Sequence, residues 1–430
     1  MTFTKRDTGQ SIVRSIGYRR SLLATAAALA LGVITAPPPT SAKPVPPNQP
    51  IVSTVAGDGI AGYSGNGGLA TAAEANGPCG VAVDSNGNIL FSDTNNNVVR
   101  AVAHSTGDFY GLKMTAGDIY TVAGNTKEGY RGDGGPARDA QFDTPDGLLV
   151  DSAGDIIIGD TTNEVVRYIP AVTGTHLGLA MTAGHVYTVA GDGNYGFSGA
   201  GGRAKSAELG LDVVVGLALD ADGNLVVTDG DNSVIWVVAN ATGTFYGQSM
   251  TAGDIYIIAG NGNSDYTGDG GPATAAALDE PEGAAFDTSG NLVFVDDSND
   301  VIRVVAEKTG TFFGKKMKSG DIYTVGPKSD ANKLSSPEGL AIDDAGNVVF
   351  VDAGNNITYL LGAKKGVDQG VNVKPGKVYT IAGNGNTAYT GDGGPARSAA
   401  FNTPCGVASD LHGGLLIADS GNNAIRHLTD

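Results

Sequence analysis

The sequence predicts an all-β fold, a six-bladed β-propeller of four-stranded antiparallel blades. One observation is a glycine-rich string, "YTGDGGPATAAA" at 266–277, that recurs with small changes in four other places. Another is a longer block of three short β-branched runs, which is present six times. The last is a strand-like sequence at 51–57 that has no block of its own before it. Regular repetition of one supersecondary unit predicts a repeat architecture and not several unlike domains.

The composition fits this fold class and argues against one class of partner. The chain has 430 residues, of which 66 are glycine, with 17% charged side chains and a formal net charge of -18. Abundant glycine suits a turn-rich β protein. Phosphate binding depends on Lys and Arg, so a strongly acidic chain without a basic patch is not expected to bind nucleic acid.

The first 42 residues are predicted to be an export signal. Arg19 and Arg20 precede the apolar run 22–36, and small residues up to Ala42 supply a cleavage site. The arginine pair resembles a twin-arginine signal, although Tyr18 stands where such signals usually have a small hydroxyl residue, and general secretion is the alternative route. The apolar run is too short for a comfortable membrane span. We therefore expect an exported protein without an integral membrane span, with residues 43–50 as a proline-rich linker.

Each repeat is predicted to be one blade. The block "PCGVAVDSNGNILFSDTNNNVVRAV" (78–102) contains three β-branched runs separated by turn pairs such as Gly87-Asn88. A fourth strand follows it, with the sequence "YTVAG" at 120–124. A single four-stranded sheet cannot bury both faces, so six of them should pack radially around a channel. The other blocks begin at residues 145, 214, 281, 337 and 404.

The two ends of the repeat region predict how the ring closes. The ordered part begins with "IVSTVAG" (51–57), which matches a fourth strand, and ends with "AIRHL" (424–428), which matches a third strand. Pairing of these two segments would complete the last blade. Residues 51–430 are therefore predicted to form a single six-bladed domain.

The repeated block resembles the NHL repeat of secreted bacterial proteins, in the pattern P-x-G-[VL]-A-[VIL]-D-x-x-G-N followed by D-x-x-N-N-x-[VI]-R. The resemblance covers 51–430 and implies a propeller with any of several functions. NHL-like propellers include protein- and RNA-binding modules, sensor domains and lectin-like scaffolds. More distantly similar propellers include gluconolactonases, strictosidine synthase-like enzymes and peptide-amidating lyases. A fold shared so widely does not select one function.

The glycine-rich string is interpreted as a connector between blades, with local ligand contact as the alternative. It lies between the fourth strand of one blade and the first strand of the next, and Pro136, Pro272 and Pro395 are predicted to occupy the first position of a short helix. The glycines would supply positive φ angles and close packing. Blade 5 lacks the string, because 326–336 is shorter than its counterparts.

The recurring polar residues and methionines are also interpreted as structural. Aspartate-rich turns such as "DTNNN" (93–97) resemble the start of a calcium loop, but they lack its glycine and lead directly into a strand. The methionines before the fourth strands are predicted to pack hairpins against the blades. The tyrosines before the glycine-rich strings either stack on sugars or serve packing. These residues are Asp93, Asp160, Asp229, Asp296, Asp352, Asp419, Arg100, Arg167, Arg303, Arg426, Met114, Met181, Met250, Met317, Tyr63, Tyr130, Tyr266 and Tyr389.

The residue before the inner-strand glycine varies between blades, and an asymmetric position on a symmetric scaffold is where function is expected. We expect this position to face the mouth of the central channel, where its three carboxylates form a candidate ligand site. Oxygen ligands suit Ca²⁺ or another divalent cation, so the same three are candidate metal ligands, and solvated carboxylates without a metal are the alternative. In blades 1 to 6 the position holds Cys79, Asp146, Val215, Glu282, Glu338 and Cys405.

The sequence lacks a complete set of catalytic residues of any known class. In gluconolactonase-like propellers a glutamate near the start of an inner strand binds the catalytic metal, and Glu282 and Glu338 are similarly placed. Their local order is "P-E-G" where that family has "E-G-P", and its Asn and Asp ligands have no match here. The five dispersed histidines argue against a histidine-bound zinc centre, and the chain has no G-x-S-x-G elbow. The catalytic residues, if any, are therefore unknown from sequence.

The two cysteines are predicted to form a disulfide. Cys79 and Cys405 occupy equivalent positions in the first and last blades, which ring closure makes neighbours. An exported chain with two cysteines favours a bond between them. Two free thiols are the alternative, since inner strands of adjacent blades can lie beyond the Cα separation of about 7 Å that a disulfide tolerates.

Two functions are compatible with these features. The favoured one is a monomeric, extracellular binding or scaffold module whose partner is a protein or a carbohydrate, with no certain cofactor. The alternative is a metal-dependent lactonase, hydrolase or lyase whose site lies at the channel mouth. Its metal ligands or acid and base groups would be Asp146, Glu282 and Glu338.

Overall fold

The computed structural model describes residues 49–211, 215–326 and 333–429. Val45–Asp430 form one compact unit. The predicted export signal (1–42) and most of the predicted linker lie outside the described residues, so the cleavage site and the export route stay predictions. None of the helices that the structure describes has the length and apolar character needed to cross a membrane.

The described residues form a six-bladed propeller of antiparallel sheets, which confirms the predicted fold class. In blades 1 to 5 the strands follow one another in chain order, and the first strand of each of the six blades contacts the first strand of the next. These inner strands are Pro78–Val83, Pro145–Val150, Leu217–Leu219, Pro281–Phe286, Pro337–Ile342 and Pro404–Ser409. The second strands are Ile89–Asp93, Ile156–Asp160, Leu225–Asp229, Leu292–Asp296, Val348–Asp352 and Leu415–Asp419.

The outer half of each blade is built from the third and fourth strands. Most second and third strands are joined by one turn of 3₁₀ helix, at Thr94–Asn96, Thr161–Asn163, Asp297–Asn299 and Ser420–Asn422. The third strands are Val98–Val102, Val165–Ile169, Val234–Val238, Val301–Val305, Ile357–Leu361 and Ala424–Thr429. The fourth strands of blades 1 to 5 are Ile119–Ala123, Tyr187–Ala190, Asp254–Ala259, Ile322–Thr324 and Val378–Ala382.

The first strand of the chain closes the ring. Ile51–Ala56 pairs antiparallel with Ala424–Thr429, with Val52 opposite Leu428 and Ser53 opposite His427. The predicted interlock is therefore confirmed. It leaves the last blade without an exposed third strand, which removes an edge that could otherwise pair with another chain.

Blades 1 to 5 carry a small hairpin between the third and fourth strands. Its two turn residues both have positive φ, for example 53° at Tyr110 and 70° at Gly111, which is the type I′ geometry that suits a twisted hairpin. Met114, Met181 and Met250 are buried under these hairpins, as predicted. The hairpin strands are Gly107–Phe109 and Leu112–Met114, Gly174–His176 and Leu179–Met181, Gly243–Phe245 and Gln248–Met250, Gly310–Phe312 and Lys315–Met317, and Gly366–Asp368 and Val371–Val373.

The glycine-rich strings are connectors between blades with a short helix, as predicted, but their prolines lie before that helix. Each holds one three-residue turn of 3₁₀ helix, and Pro136 and Pro272 precede that turn with ψ of 133° and 132°. The prolines therefore do not occupy the first helical position, because their extended backbone forms bridges to His185 and Asp321, just before the fourth strands of the next blades. The helical turns are Ala70–Ala72, Ala137–Asp139, Ala204–Ser206, Ala273–Ala275 and Ala396–Ser398, and short strands Gly202–Arg203 and Gly394–Pro395 precede two of them.

The hydrophobic core lies between the blades. The cluster around Trp236 combines side chains of blades 2 and 3, including Ile157 and Val227. The cluster around Phe294 combines blades 3 and 4 in the same way. Stability is therefore shared between neighbouring blades, as expected of stacked repeats that cannot bury their faces alone.

Candidate functional site

The six inner-strand glycines bring the blades together at the centre of the ring. A Cβ atom added to Gly80, Gly283 or Gly406 would lie within 3.0 Å of the carbonyl oxygen of Asp146, Glu338 or Cys79, each in the next blade. The other three, Gly147, Gly216 and Gly339, meet the following blade in the same way. Glycine is required at these positions because a side chain would separate the inner strands. The residue before each glycine is consequently held where the blades converge.

The disulfide lies in this ring. Cys79 and Cys405 are bonded, with their Cα atoms 5.0 Å apart, so the inner strands of blades 1 and 6 approach closely enough for the bond. The alternative of two free thiols is excluded. The bond spans 326 residues and closes the ring covalently where the N-terminal strand closes it by hydrogen bonds.

Asp146, Glu282 and Glu338 occupy the same ring position in blades 2, 4 and 5. Asp146 and Glu282 are buried, whereas Glu338 is half-buried. The channel-mouth position predicted for these side chains is thus more enclosed than an open, solvated rim. Carboxylates in such a place are costly unless they find a proton, a hydrogen-bond donor or a cation.

The carboxylates of this ring affect one another electrostatically. The pKa of Glu338 is raised well above its usual range, first by burial and then by the negative charges of Asp297, Asp146 and Asp352. Asp146 acts on Glu338 although it belongs to blade 2, on the far side of the ring. The two side chains therefore share one acidic environment that spans the channel. A group with a raised pKa holds a proton more readily and is suited to donate hydrogen bonds to a ligand.

Asp297 was missed by the sequence interpretation. It begins the 3₁₀ turn Asp297–Asn299, and its charge is the largest electrostatic influence on Glu338. The equivalent position in blades 1 and 2 holds Thr94 and Thr161, and Thr94 donates to the carbonyl of Pro145 in the next blade at 2.9 Å. Comparison of this position across repeats would have shown the change to a carboxylate.

The described residues do not contain three or more His, Cys, Asp or Glu side chains grouped as metal ligands. The role of Asp146, Glu282 and Glu338 as metal ligands stays a prediction.

The recurrent Asp–Arg motif is a structural network. Arg167 donates to Asp160 at 3.1 Å, and the ring of Tyr130 lies over its guanidinium with 5.1 Å to the ring centroid. Asn163 donates to Asp160 at 2.9 Å, so the apparent calcium loop is bonded within itself. Burial raises the pKa of Asp160 to about 6, against the opposing charge of Arg167. The same arrangement recurs with Asp93, Arg100 and Tyr63, with Asp296, Arg303 and Tyr266, and with Asp419, Arg426 and Tyr389.

The tyrosines before the glycine-rich strings are therefore packing residues. Besides covering an arginine, Tyr130 hydrogen-bonds through its hydroxyl to Thr188 at 2.9 Å, and Tyr266 bonds to Thr324 at 2.8 Å. One ring face and the hydroxyl of each therefore make contacts within the fold, although Tyr130 is 42% exposed and Tyr266 is 38% exposed. The alternative of a sugar-stacking rim stays a prediction.

Comparison with known proteins places the fold and leaves the activity open. No protein-family model matches the chain. The protein SUPPRESSOR OF QUENCHING 1, chloroplastic, of Arabidopsis thaliana is 24% identical over 323 residues, which are 72% of this chain and 27% of that protein. The chain thus spans about a quarter of the length of this curated relative.

Two solved structures have a similar fold. A structural genomics protein of unknown function from Bacteroides thetaiotaomicron is 15% identical with a TM-score of 0.56, over 88% of this chain and 76% of that chain. An auxiliary nutrient binding protein from Bacteroides ovatus is 14% identical with a TM-score of 0.52, over 89% of this chain and 77% of that chain. Likeness at this identity shows a shared propeller architecture.

Proposed function

We propose that this chain is an exported propeller that binds a protein or a glycan outside the cytoplasm and acts as a binding or scaffold module. The strongest support comes from the inner ring, formed by the residues before the six inner-strand glycines, because these residues differ between blades. Asp146, Glu282 and Glu338 interrupt the repeat at one shared place, where the other three blades have Cys79, Val215 and Cys405. Recognition of a ligand needs such asymmetry on a symmetric scaffold.

The acidic ring favours a ligand that donates hydrogen bonds or carries positive charge. Carboxylates accept hydrogen bonds from sugar hydroxyls and pair with the Lys or Arg side chains of a protein. Because its pKa is raised, the carboxyl group of Glu338 holds a proton more readily and can also donate a hydrogen bond to the ligand. A divalent cation that relieves the repulsion between these carboxylates would be held by the same residues.

Export is supported by two independent features. Disulfides persist in oxidising compartments, and Cys79–Cys405 closes the ring. The predicted signal at 1–42 would deliver the chain there. The propeller from Bacteroides ovatus that shares this fold carries the name of a nutrient binding protein, which accords with a binding role for the present chain.

The test is a glycan-array screen of the purified protein, followed by thermal unfolding with each bound glycan and with EDTA, Ca²⁺, Mg²⁺, Mn²⁺ or Zn²⁺. A ligand at one hundred times its Kd should stabilise the native state by about 2.7 kcal/mol. The double variant Glu282→Gln/Glu338→Gln should lose this effect. The matched control Asp222→Asn/Asp344→Asn, which changes two exposed carboxylates in turns, should keep it.

Two outcomes would contradict the proposal. Binding that the ring variant retains in full would place the site elsewhere. Turnover of a lactone by the wild-type protein in the presence of a metal, lost in the ring variant, would show an enzyme instead of a binding module.

A further inference from the structure

A cleft lies on the outer side of the seam between blades 2 and 3. Its volume is about 300 Å³, and it is lined by the hairpin of blade 2 together with the connector that leads to blade 3. The residues that form it are Leu177, Leu179, Val189, Arg203, Lys205, Ser206 and Gly253. This volume is at the lower end for small-molecule sites, so the cleft suits a ligand of modest size.

The two walls of the cleft differ in chemistry. Leu177 and Val189 are buried, and with the half-buried Leu179 they form an apolar floor. The connector contributes the cationic side chains of Arg203 and Lys205, which are both exposed. None of the seven described residues that line the cleft is acidic, in a chain whose net charge is -18.

The two cations differ in how they are held. The Nζ atom of Lys205 lies 3.5 Å from Asp133 Oδ2, and that carboxylate is also 3.7 Å from the guanidinium of Arg167. Among the described residues, no ion pair or side-chain hydrogen bond involves Arg203. Arg203 is therefore available to bind an anion. Lys205 is held beside it by Asp133, whose carboxylate also contacts Arg167.

The cleft coincides with two departures from the repeat. Arg203 replaces the proline found at the same connector position in three other connectors, namely Pro136, Pro272 and Pro395. Its φ of −58° and ψ of 125° match those prolines, so its backbone does not need an arginine.

The second departure is in the hairpin. Leu177 replaces Tyr110 of blade 1 and Tyr246 of blade 3, whose hydroxyls donate to Asp84 and Asp220 of their own blades at 2.6 and 2.7 Å. Leu177 cannot make that bond. Phe313 in blade 4 also lacks the hydroxyl, and Leu177 is itself buried in the core cluster around Trp236. Both replacements line the same small cleft, and the backbone at Arg203 does not require an arginine.

We propose that this cleft binds a small organic acid with an apolar tail. The carboxylate would lie between the guanidinium of Arg203 and the ammonium of Lys205, with the hydroxyl of Ser206 within the same wall. The tail would cover Leu177, Leu179 and Val189. This site is separate from the inner ring, so it does not depend on the function proposed for that ring.

The test is isothermal titration of the purified full chain with octanoate, beside octylamine and inorganic phosphate. Octanoate should bind, and the other two, which lack either the negative charge or the tail, should bind at least tenfold more weakly. Arg203→Pro, which restores the residue of the other connectors and keeps the backbone angles, should weaken octanoate binding at least tenfold. Arg138→Ala, at the connector position that corresponds to Lys205 one blade earlier, should leave it unchanged.

The fluorescence of Trp236 verifies that each variant is folded. Octanoate that fails to bind the wild-type chain would overturn the proposal. Equal binding by the folded Arg203→Pro variant would do the same. Phosphate that binds as tightly as octanoate would show a simple anion site and would also overturn it.

Discussion

Arg426 donates a hydrogen bond through Nη1 to Asp419 Oδ2 at 3.0 Å, and both side chains are fully buried. Its Nη2 atom reaches Asp392 at 2.6 Å and the carbonyl of Thr390 at 3.2 Å. One arginine in the third strand thus joins the end of the second strand to the connector before the blade. Three other blades repeat this arrangement.

Loss of this arginine should destabilise the protein strongly. Arg426→Met leaves the carboxylate of Asp419 buried without its cation, and breaking a buried ion pair in this way costs about 3–5 kcal/mol. The measurement is the free energy of unfolding from denaturant titration. Arg138→Met, which removes an exposed arginine from a connector, is the control and should change that free energy by less than about 0.5 kcal/mol. Similar losses in both variants would show that the buried pair is not the cause.

Blade 3 allows a second test of how the buried aspartate of each blade is stabilised, because a tryptophan takes the place of the arginine there. Trp236 donates through Nε1 to Asp229 Oδ2 at 2.7 Å and packs edge-on against Phe197. Trp236→Phe removes the donor and should cost about 1–3 kcal/mol, the penalty of an unsatisfied buried acceptor. Trp236→Arg introduces the residue that four of the other blades have and should cost less.

Unfolding of these two variants is followed by far-UV circular dichroism, because Trp236 is the sole tryptophan of the chain and its fluorescence is lost in both. A phenylalanine variant as stable as the wild type would mean that the hydrogen bond to Asp229 contributes nothing.

The disulfide should contribute substantially to stability. Cys79→Ala/Cys405→Ala removes a cross-link across 326 residues, and loss of a native disulfide typically costs about 2–5 kcal/mol. The free energy of unfolding of the variant should match that of the wild-type protein after reduction. If reduction leaves the wild-type midpoint unchanged, the closing strand Ile51–Ala56 is sufficient to hold the ring.

Stability should depend on pH through a carboxyl pair in blade 5. The pKa of Asp343 is raised from 3.8 to about 7, by burial first and then by the hydrogen bond and charge of Asp368. Asn347 donates to both carboxyl groups, at 3.3 and 2.7 Å. Because the native state favours the protonated form, the stabilising contribution is complete below pH 3.8 and is lost as the pH rises through about 7.

Asp368→Asn isolates this effect, since an amide removes the charge and keeps hydrogen-bonding capacity. Between pH 5 and pH 8 the variant should be more stable than the wild-type protein, with a free energy of unfolding higher by an amount on the order of 1–3 kcal/mol. Parallel stability curves for the two proteins over this range would refute the role of the pair. Asp222→Asn, an exposed carboxylate in a turn, serves as the matched control.

Much of the fold was determined locally by the sequence. Each block contains β-branched runs and turn pairs whose short-range preferences suffice to specify a blade, and repetition implies the ring. The pairing of Ile51–Ala56 with Ala424–Thr429 was predictable because one segment lacks a fourth strand and the other lacks a third. Even the connectors were recognisable, although their prolines precede the one-turn helix and do not occupy its first position.

Tertiary structure alone decided what the polar residues do. The sequence favoured packing for Tyr130 over stacking on a sugar, but only the fold showed that its ring covers Arg167. The distance between Cys79 and Cys405 depends on how closely six inner strands converge, which glycine contacts between blades determine and no single repeat contains. The influence of Asp297 and Asp146 on Glu338 crosses from one blade to another, and such electrostatic coupling depends on distances in space and not on spacing along the chain.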